Sequence, residues 1–507
     1  MIKNKLKSDV IISYVAMIIA LFTTFFLTKY EIAYLGKELY GILSLINSTI
    51  GYIAILDMGV GQTIIRYIAK YNAEGKVEKI NKISGYSFKN YIKISIIGLI
   101  IGIAIIIRPI YIFGSLTEST EGIFRVCFFI SLINILLQIP GATFNSILSG
   151  FSKYKTIKIV NIVKSILRAV LIIVFLNLGL SILSIFIVDL IINQGINVFN
   201  YIYVTKKLNV KLNFKPIDKL LKKELTRYSF FVFLGIITDQ VFWKTDGIIL
   251  GILSTTSVVS VYSISSQIIS QYLLLCSTLS SVFLPRIVEK ITSGESKKEI
   301  NKFFIKASRY QYIFVGMILI SYIFIGKDFI ILWLGNNFVD AYYYGLIIMI
   351  SLTVPMFQTT GYQILYAMGK HNFRSIIYLL NAILNIVISI ILFYIIGPMG
   401  VAIATAIAMV LGNTIIINIY YKKVLELKLM NFFKYVCLKT TIVMVITTCV
   451  YVVLNNIIGV GWKEFIFKGC IANIIYLTGV WFITFDDNER SKYTTLIKSK
   501  LIKINEF

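Results

Sequence analysis

The stretch IIYLLNAILNIVISIILFYII (Ile376–Ile396) contains no charged residue. A helix needs about 20 apolar residues to cross the roughly 30 Å hydrocarbon layer of a bilayer. Similar stretches recur along the 507 residues, which are 57% hydrophobic and have a mean hydropathy of +0.83. A soluble domain does not reach such values, because it must cover its surface with polar side chains. The sequence therefore predicts an all-α polytopic membrane protein.

We expect about fourteen membrane-spanning helices, of which the third and ninth are the shortest. The predicted spans lie near residues 10–28, 40–56, 92–107, 124–144, 157–177, 182–204, 230–250, 258–284, 312–325, 346–367, 376–396, 401–420, 435–454 and 465–485.

The distribution of Lys and Arg predicts the orientation of these spans. Basic residues concentrate in cytoplasmic segments of membrane proteins. If the N-terminus is cytoplasmic, most of the 50 basic residues fall on the cytoplasmic side, and the alternation holds to the end of the chain. Lys463 and Lys468 are among the few that are assigned to external loops and their flanks. Both termini are therefore expected in the cytoplasm.

The chain also carries an internal repeat, found by shifting the sequence by 220 positions. The register is unbroken across two stretches, and a looser match follows them up to residues 212 and 429. The matched pairs include Arg66 with Arg286, Lys70 with Lys290, Asn81 with Asn301, Gln138 with Gln358 and Gly141 with Gly361. We therefore expect two parallel six-helix lobes, at 1–212 (N-lobe) and 213–429 (C-lobe). Residues 430–507 would add two C-terminal helices and a basic cytoplasmic tail.

Several classes of function lack their usual signatures. The formal charge of +26 is spread between apolar segments instead of forming one basic face, so a nucleic-acid partner is not expected. The five cysteines lie in apolar stretches without ligand spacing, so no disulfide or metal site is predicted. No catalytic or nucleotide-binding motif occurs in the sequence, and the cytoplasmic loops are too short for an appended enzymatic domain. We expect no enzyme and no cofactor, and an ion gradient or the substrate's own gradient as the energy source.

Ionisable residues inside the membrane are functional candidates, because burying them there is costly. Two neighbouring spans each carry a polar stripe with helical spacing. The fifth span has Asn161, Lys164 and Arg168, and the sixth has Asp189, Asn193, Asn197 and Asn200. Such faces would line a shared aqueous cavity. Two cations on one stripe, with no acid beside them, indicate a site for an anion from elsewhere.

The seventh span adds a second group of polar residues: Asp239, Gln240, Lys244 and Asp246. Each of these residues has a structural alternative, in which ion pairs or hydrogen bonds only hold the helices together. For the stripe with Lys164 and Arg168 we favour a functional role.

Three segments carry a resemblance to a known family. They are LDMGVGQTIIRYIAKY (Leu56–Tyr71), ILWLGNNFVDA (Ile331–Ala341) and GKHNF (Gly369–Phe373). Together with the layout of six, six and two spans, they resemble the polysaccharide transporter branch of the multidrug/oligosaccharidyl-lipid/polysaccharide (MOP) exporter superfamily. Within this branch the chain is similar to Wzx-type flippases of O-antigen and capsule repeat units.

The resemblance implies a flippase in the bacterial cytoplasmic (inner) membrane, working by alternating access. Its cargo would be an oligosaccharide linked to undecaprenyl diphosphate. Its partners would be membrane lipids, a polysaccharide polymerase and other assembly proteins. Lys164, Arg168 and Lys244 would bind the diphosphate. Proton or sodium coupling would use the acidic residues, with Asp189, Asp239 and Asp246 as candidates. Asn161, Asn193, Asn197 and Gln240 would line the cavity.

Three alternatives stay open from the sequence. A lipid II flippase would share the fourteen spans and the cationic cavity. A cation-coupled multidrug (MATE-type) exporter would share the fold, but Lys164 and Arg168 argue against a cationic cargo. A scaffold of a glycan-assembly complex would not need charged stripes in its spans.

Overall fold

The structure, a computed structural model, describes residues 2–57, 59–281, 283–370 and 372–495. Met58 and His371 of the quoted segments, and residues 496–507 of the expected basic tail, lie outside this part of the chain. The described residues form helices and turns and contain no strand. Their packing divides the chain into two compact units, Met1–Ser263 and Ile264–Phe507.

The first unit holds eight helices of the described chain and the start of a ninth, which crosses into the second unit. They are α1 (Ile2–Ala54), α2 (Val60–Ala73), α3 (Val77–Ile107), α4 (Pro109–Ile112), α5 (Glu118–Gly150), α6 (Tyr154–Asn177), α7 (Ser181–Ile202), α8 (Lys219–Leu253) and α9 (Thr256–Ser281). A 3₁₀ turn at Ile55–Asp57 follows α1, and a π-helical turn at Tyr203–Lys207 extends α7.

The second unit continues with helices of similar order and length. They are α10 (Leu284–Thr292), α11 (Lys297–Leu334), α12 (Asp340–Phe357), α13 (Thr359–Ala367), α14 (Asn372–Ile396), α15 (Pro398–Met409), α16 (Ile417–Leu425), α17 (Leu429–Ile457) and α18 (Trp462–Gly479). Short 3₁₀ or π-helical segments lie at Asn336–Phe338, Val410–Ile416 and Val480–Thr484.

The first two predicted spans are joined by a kink within one helix and not by a loop. Both spans fall in α1, and the helical geometry is interrupted inside it at Gly36, with φ 73° and ψ 177°. A residue with a Cβ rarely adopts this conformation, whereas glycine adopts it at little cost. The flanking residues contain no proline and therefore stay helical up to the kink.

Twelve helices in the described part of the chain are long and apolar enough to cross a bilayer. α1 counts once among them although it contains two predicted spans, and the others each overlap one predicted span. The seventh predicted span lies in α8, which is not among the twelve and carries Asp239, Lys244 and Asp246. The polytopic all-α fold is therefore confirmed, while the number of crossings and the side of the termini stay predictions.

The two units repeat the same local construction. Asn81 on α3 accepts a hydrogen bond from the backbone N–H of Lys211 at 2.9 Å, which fastens the segment after α7 to α3. With the shift of 220 positions its counterpart is Asn301 on α11, whose side-chain amide donates to the carbonyl of Leu425 at the end of α16, at 2.7 Å. In each half an asparagine at the equivalent position thus bonds to the backbone near the end of a later helix, accepting in the first half and donating in the second. The exact lobe boundaries at 212 and 429 stay a prediction.

The two C-terminal helices are fastened to the second unit by a buried ion pair. The Nζ of Lys468 on α18 lies 3.1 Å from Oδ2 of Asp328 on α11 and 2.7 Å from Oδ1 of Asn455 on α17. The side chain of Lys468 is 1% exposed, so this lysine is buried between helices, and its assignment to an external flank stays a prediction. Packing of α18 against α11 and α17 covers it, which a count along the chain could not reveal.

We expect Lys468→Met to destabilise the second unit. The substitution leaves the Asp328 carboxylate without its cation, and removing one partner of a buried pair costs about 3–5 kcal/mol. Thermal unfolding of the purified protein in detergent measures the loss. Lys463→Met, at an exposed position on the same helix, is the matched control and should leave the midpoint unchanged. Equal midpoints for both variants would contradict the structural role of the pair.

Candidate functional site

Arg168 is bound to Asp189 through two parallel hydrogen bonds. The guanidinium Nε donates to Oδ1 at 2.6 Å, and Nη2 donates to Oδ2 at 3.1 Å. Arg168 lies on α6 and Asp189 on α7, and the two helices pack side by side. Such a two-point contact fixes the guanidinium plane as well as its charge. The two predicted polar stripes therefore meet, and this pair joins them.

A second acid, Glu31 on α1, lies on another side of the same guanidinium. Its Oε1 is 3.8 Å from Nη1 of Arg168, and the residue is 5% exposed. This oxygen has no hydrogen-bond partner among the described residues. Glu31 therefore interacts with Arg168 through electrostatic attraction and not through a hydrogen bond. Arg168 thus bridges α1, α6 and α7. Sequence reasoning missed Glu31 because it falls in the connection between the first two predicted spans.

The acid that the Arg168 stripe lacked is therefore supplied from within the protein. An arginine buried between two acids holds their helices together. Its guanidinium is then only partly available to a ligand. The cluster of Arg168, Asp189 and Glu31 sums to one formal negative charge when all three are ionised. Binding of a diphosphate by Arg168 stays a prediction.

Beside this cluster lies a polar cavity of about 300 Å³. It is formed by the turn after α1 and by α5, α6 and α7. Five residues of the two predicted stripes line it, namely Asn161, Lys164, Asn193, Asn197 and Asn200. The cavity is also lined by Asp57, Gln138 and Asn145, which were not among the predicted site residues. An amide carries both donors and acceptors, so this lining can bind hydroxyl groups and anions alike.

Lys164 is the cation of this cavity. It is half-buried and makes no hydrogen bond or ion pair within the part of the chain that the structure describes. It differs in this from Arg168, which lies one helical turn further along α6 and is bound by two acids. The ammonium group of Lys164 is therefore available to a ligand in the cavity.

One wall of the cavity is held in place by a chain of amides. Gln194 Nε2 on α7 donates to Oδ1 of Asn134 on α5 at 3.0 Å. Asn197 Nδ2 in turn donates to Oε1 of Gln194 at 2.8 Å. Each amide orients the next one, so the side chain of Asn197 is positioned before any ligand binds.

The polar residues of α8 lie in other settings, and among the described residues that line the cavity none comes from α8. Gln240 and Lys244 point across to α1, since a methyl group at Gly51 would lie 3.8 Å from Oε1 of Gln240 and 3.9 Å from Cγ of Lys244. Asp246 is buried and accepts a 2.5 Å hydrogen bond from the hydroxyl of Tyr262. Asp239 is exposed.

The second half of the chain has no copy of the cationic stripe. Gly179 and Gly397 follow α6 and α14 with similar positive φ angles, which aligns the two helices with a shift of 218 positions. With this shift Lys164 corresponds to Ala382 and Arg168 to Ile386. The groove between α12 and α15 is lined mainly by aliphatic side chains such as Ile350 and Ile407. The polar cavity therefore distinguishes the first half from the second.

A polytopic helical fold with a polar, charged cavity in its first half is the architecture expected of a membrane transporter or flippase. Residues 6–291, more than half of the chain, match the model of the family described as Polysaccharide biosynthesis protein. The chain belongs to this family, and the expected membership of the MOP superfamily is confirmed. No curated protein matches the sequence.

Solved structures of this superfamily are similar to the chain in fold. The lipid II flippase MurJ in an inward closed conformation has a TM-score of 0.71 at 17% identity, over 93% of this chain and 97% of that one. An inward-facing MATE family multidrug resistance transporter has a TM-score of 0.62 at 15% identity, over 82% and 99%. A Pyrococcus furiosus transporter, described as having a binding pocket of reversed polarity, has a TM-score of 0.57 at 15% identity, over 84% and 96%. Identities this low show the shared fold alone.

We expect Arg168→Met and Lys164→Met to differ in their effect on stability. Arg168→Met leaves Glu31 and Asp189 without their cation and should cost about 3–5 kcal/mol. Lys164→Met removes a half-buried charge that has no partner and should not lower the unfolding temperature. Thermal unfolding of the two purified variants in the same detergent compares them. A similar loss in both would contradict the division between a paired and an available cation.

Proposed function

We propose that the protein is a flippase that moves oligosaccharides linked to undecaprenyl diphosphate across the bacterial cytoplasmic membrane. The cargo would be a repeat unit of O-antigen, capsule or another surface polysaccharide. The observation that carries the proposal is Lys164, a cation without a protein partner in a cavity lined by amides. Membership of the polysaccharide biosynthesis protein family supports the same cargo class.

The chemistry of the cavity suits the head group of such a lipid. A diphosphate diester carries two negative charges, which are costly to bring into a membrane unless a cation binds them. Lys164 supplies one cation, with Arg168 on the same stripe and Lys244 on α8 as further proposed contacts. The amides of Asn161, Asn193 and Asn197 can exchange hydrogen bonds with sugar hydroxyl groups. The polyprenyl chain would stay in the surrounding lipid.

The proposed transport cycle is alternating access driven by a proton or sodium gradient. Binding of the head group favours one conformation only if it makes better contacts in that conformation than in the other. Asp189, Asp239 and Asp246 are the acidic residues proposed from the sequence for coupling. Both termini would lie in the cytoplasm, where a polysaccharide polymerase and other assembly proteins could associate.

Two alternatives use the same fold for another cargo. A lipid II flippase would also take a polyprenyl diphosphate, so the lone cation at Lys164 suits it equally. A multidrug exporter of the MATE type would take cationic compounds, which Lys164 would repel.

We expect Lys164→Gln to lower transport of the lipid-linked oligosaccharide roughly tenfold to hundredfold. This range corresponds to the loss of one charge-assisted hydrogen bond of about 1.5–3 kcal/mol. Transport of a fluorescent lipid-linked saccharide in proteoliposomes measures the effect. Lys158→Gln removes the same charge from the same helix outside the cavity and is the control. Unchanged transport by the Lys164 variant would reject the site.

Deletion of the gene should make the untranslocated cargo accumulate. Mass spectrometry of the lipid extract would then identify undecaprenyl diphosphate carrying an oligosaccharide repeat unit. Accumulation of lipid II instead would favour the first alternative. No accumulated lipid, together with greater sensitivity to cationic drugs, would favour the second. Failure of the purified protein to flip any lipid would favour a scaffold of a glycan-assembly complex, the third alternative from the sequence.

A further inference from the structure

A closed pair of amides joins two helices of the second unit. Nε2 of Gln358, just after α12, donates to Oδ1 of Asn418 on α16 at 2.8 Å. Nδ2 of Asn418 donates in return to Oε1 of Gln358 at 3.1 Å. The two residues are 0% and 4% exposed. Each amide therefore satisfies the other away from water, as buried polar groups in proteins usually are satisfied.

The first half has the same two residue types at the corresponding positions. The shift of 220 positions places Gln138 on α5 opposite the glutamine of this pair. The shift of 218 positions, which aligns α6 with α14, places Asn200 on α7 opposite its asparagine. The second shift also pairs Tyr203 with Tyr421, three positions further along. The residues for a closed amide pair are therefore present in both halves.

In the first half the two amides do not form this pair and line the polar cavity instead. Gln138 and Asn200 both belong to the lining, and neither side chain makes a hydrogen bond within the described part of the chain. Asn200 is only 6% exposed. A buried amide without a partner is costly, so its hydrogen bonds are expected to go to a molecule that enters the cavity.

Isoleucine side chains lie among these amides. Ile135 and Ile139 line the cavity on α5, within one helical turn of Gln138. Ile196 lines it on α7, one turn before Asn200. A ligand group that satisfies both amides therefore also lies beside apolar atoms, and it gains most if it presents an apolar end to them.

An acylamino group has this combination of features. The N–H and C=O of a trans amide point in opposite directions, so the group can donate to one side-chain amide and accept from the other. The methyl group of an acetamido substituent can then pack against the isoleucines. A hydroxyl group presents its donor and its acceptors from a single atom and has no apolar end. It satisfies the pair less completely.

We infer that Gln138 and Asn200 bind an acylamino substituent, such as an acetamido group, on the sugar next to the diphosphate of the cargo. The inference rests on the proposed function, because it takes Lys164 to bind the phosphates. Lys164 and the two amides line one cavity of about 300 Å³, so the substituent lies on the first sugar and not on a distant one. The cavity thus recognises the charge and the neighbouring N-acyl group together.

A cargo without the acylamino group leaves two largely buried amides unpaired. A site that is built to hydrogen-bond a substrate group rejects analogues that lack it, because its own polar groups then lose their partners. For two neutral hydrogen bonds we expect a preference of roughly tenfold to hundredfold in affinity.

Binding of two sugar phosphates to the full-length protein in detergent tests the inference. N-acetylglucosamine 1-phosphate and glucose 1-phosphate differ only in carrying an acetamido or a hydroxyl group, and both have a phosphate for Lys164. Isothermal titration calorimetry compares their affinities. Wild type should bind N-acetylglucosamine 1-phosphate roughly tenfold to hundredfold more tightly than glucose 1-phosphate.

Two variants make the test specific to the amide pair. Gln138→Met and Asn200→Leu replace each amide by an apolar side chain of similar size. Each should lower the affinity for N-acetylglucosamine 1-phosphate by about tenfold and change that for glucose 1-phosphate less. Asn72→Leu, at an exposed position of α2 outside the cavity, is the matched control and should keep the wild-type preference. Gln138 is only half-buried, so its variant decides the matter if Asn200→Leu fails to fold.

The outcomes separate this inference from the proposed function. Equal affinity of wild type for the two sugar phosphates, with both still dependent on Lys164, would overturn the role of the amide pair and leave the proposed function standing. An undiminished preference in Gln138→Met would have the same consequence. Absence of any Lys164-dependent binding of either sugar phosphate would overturn both.

Discussion

The constraint on which the rest of this structure depends is the lack of hydrogen-bonding partners in a lipid interior. Backbone N–H and C=O groups that cross the bilayer must be satisfied within the chain, and helices achieve this within each segment. The described chain follows the constraint almost throughout, and even its interruptions are single residues or short turns, as at Gly36 and at Ile55–Asp57. Because the backbone is satisfied in this way, side chains alone decide where water and ions can enter.

The lipid interior also explains why the few charged side chains in the spans fall into two groups. Lys468 and Arg168 are paired with acids on neighbouring helices, so their charges stabilise packing. Lys164 and Asp57 face a cavity that is large enough for several water molecules and have no such partners in the described chain. Removing one partner of the first group leaves the other without a counter-charge in the protein or lipid interior. Charges of the second group are not neutralised by an ion pair within the described chain.

The two halves of the chain show how a duplicated fold acquires a single site. Asn81 and Asn301 each bond to the backbone near the end of a later helix in their own half. Other positions differ between the halves because folding does not require a polar residue there. Lys164 of the first half, for example, corresponds to Ala382 of the second. The cationic stripe thus belongs to one copy of a shared construction.

The sequence by itself determined the solvent of the chain, its helical class and its family, because apolar periodicity, charge distribution and segment composition are local properties. It also identified Lys164, Asn161, Asn193 and Asn197, whose helical spacing places them on shared faces. Only the tertiary structure decided which charges neutralise each other. Glu31 reaches Arg168 across more than a hundred positions, and Lys468 is covered by helices distant in the chain. Such pairings depend on how helices pack, and spacing along one helix carries no information about the residues on its neighbours.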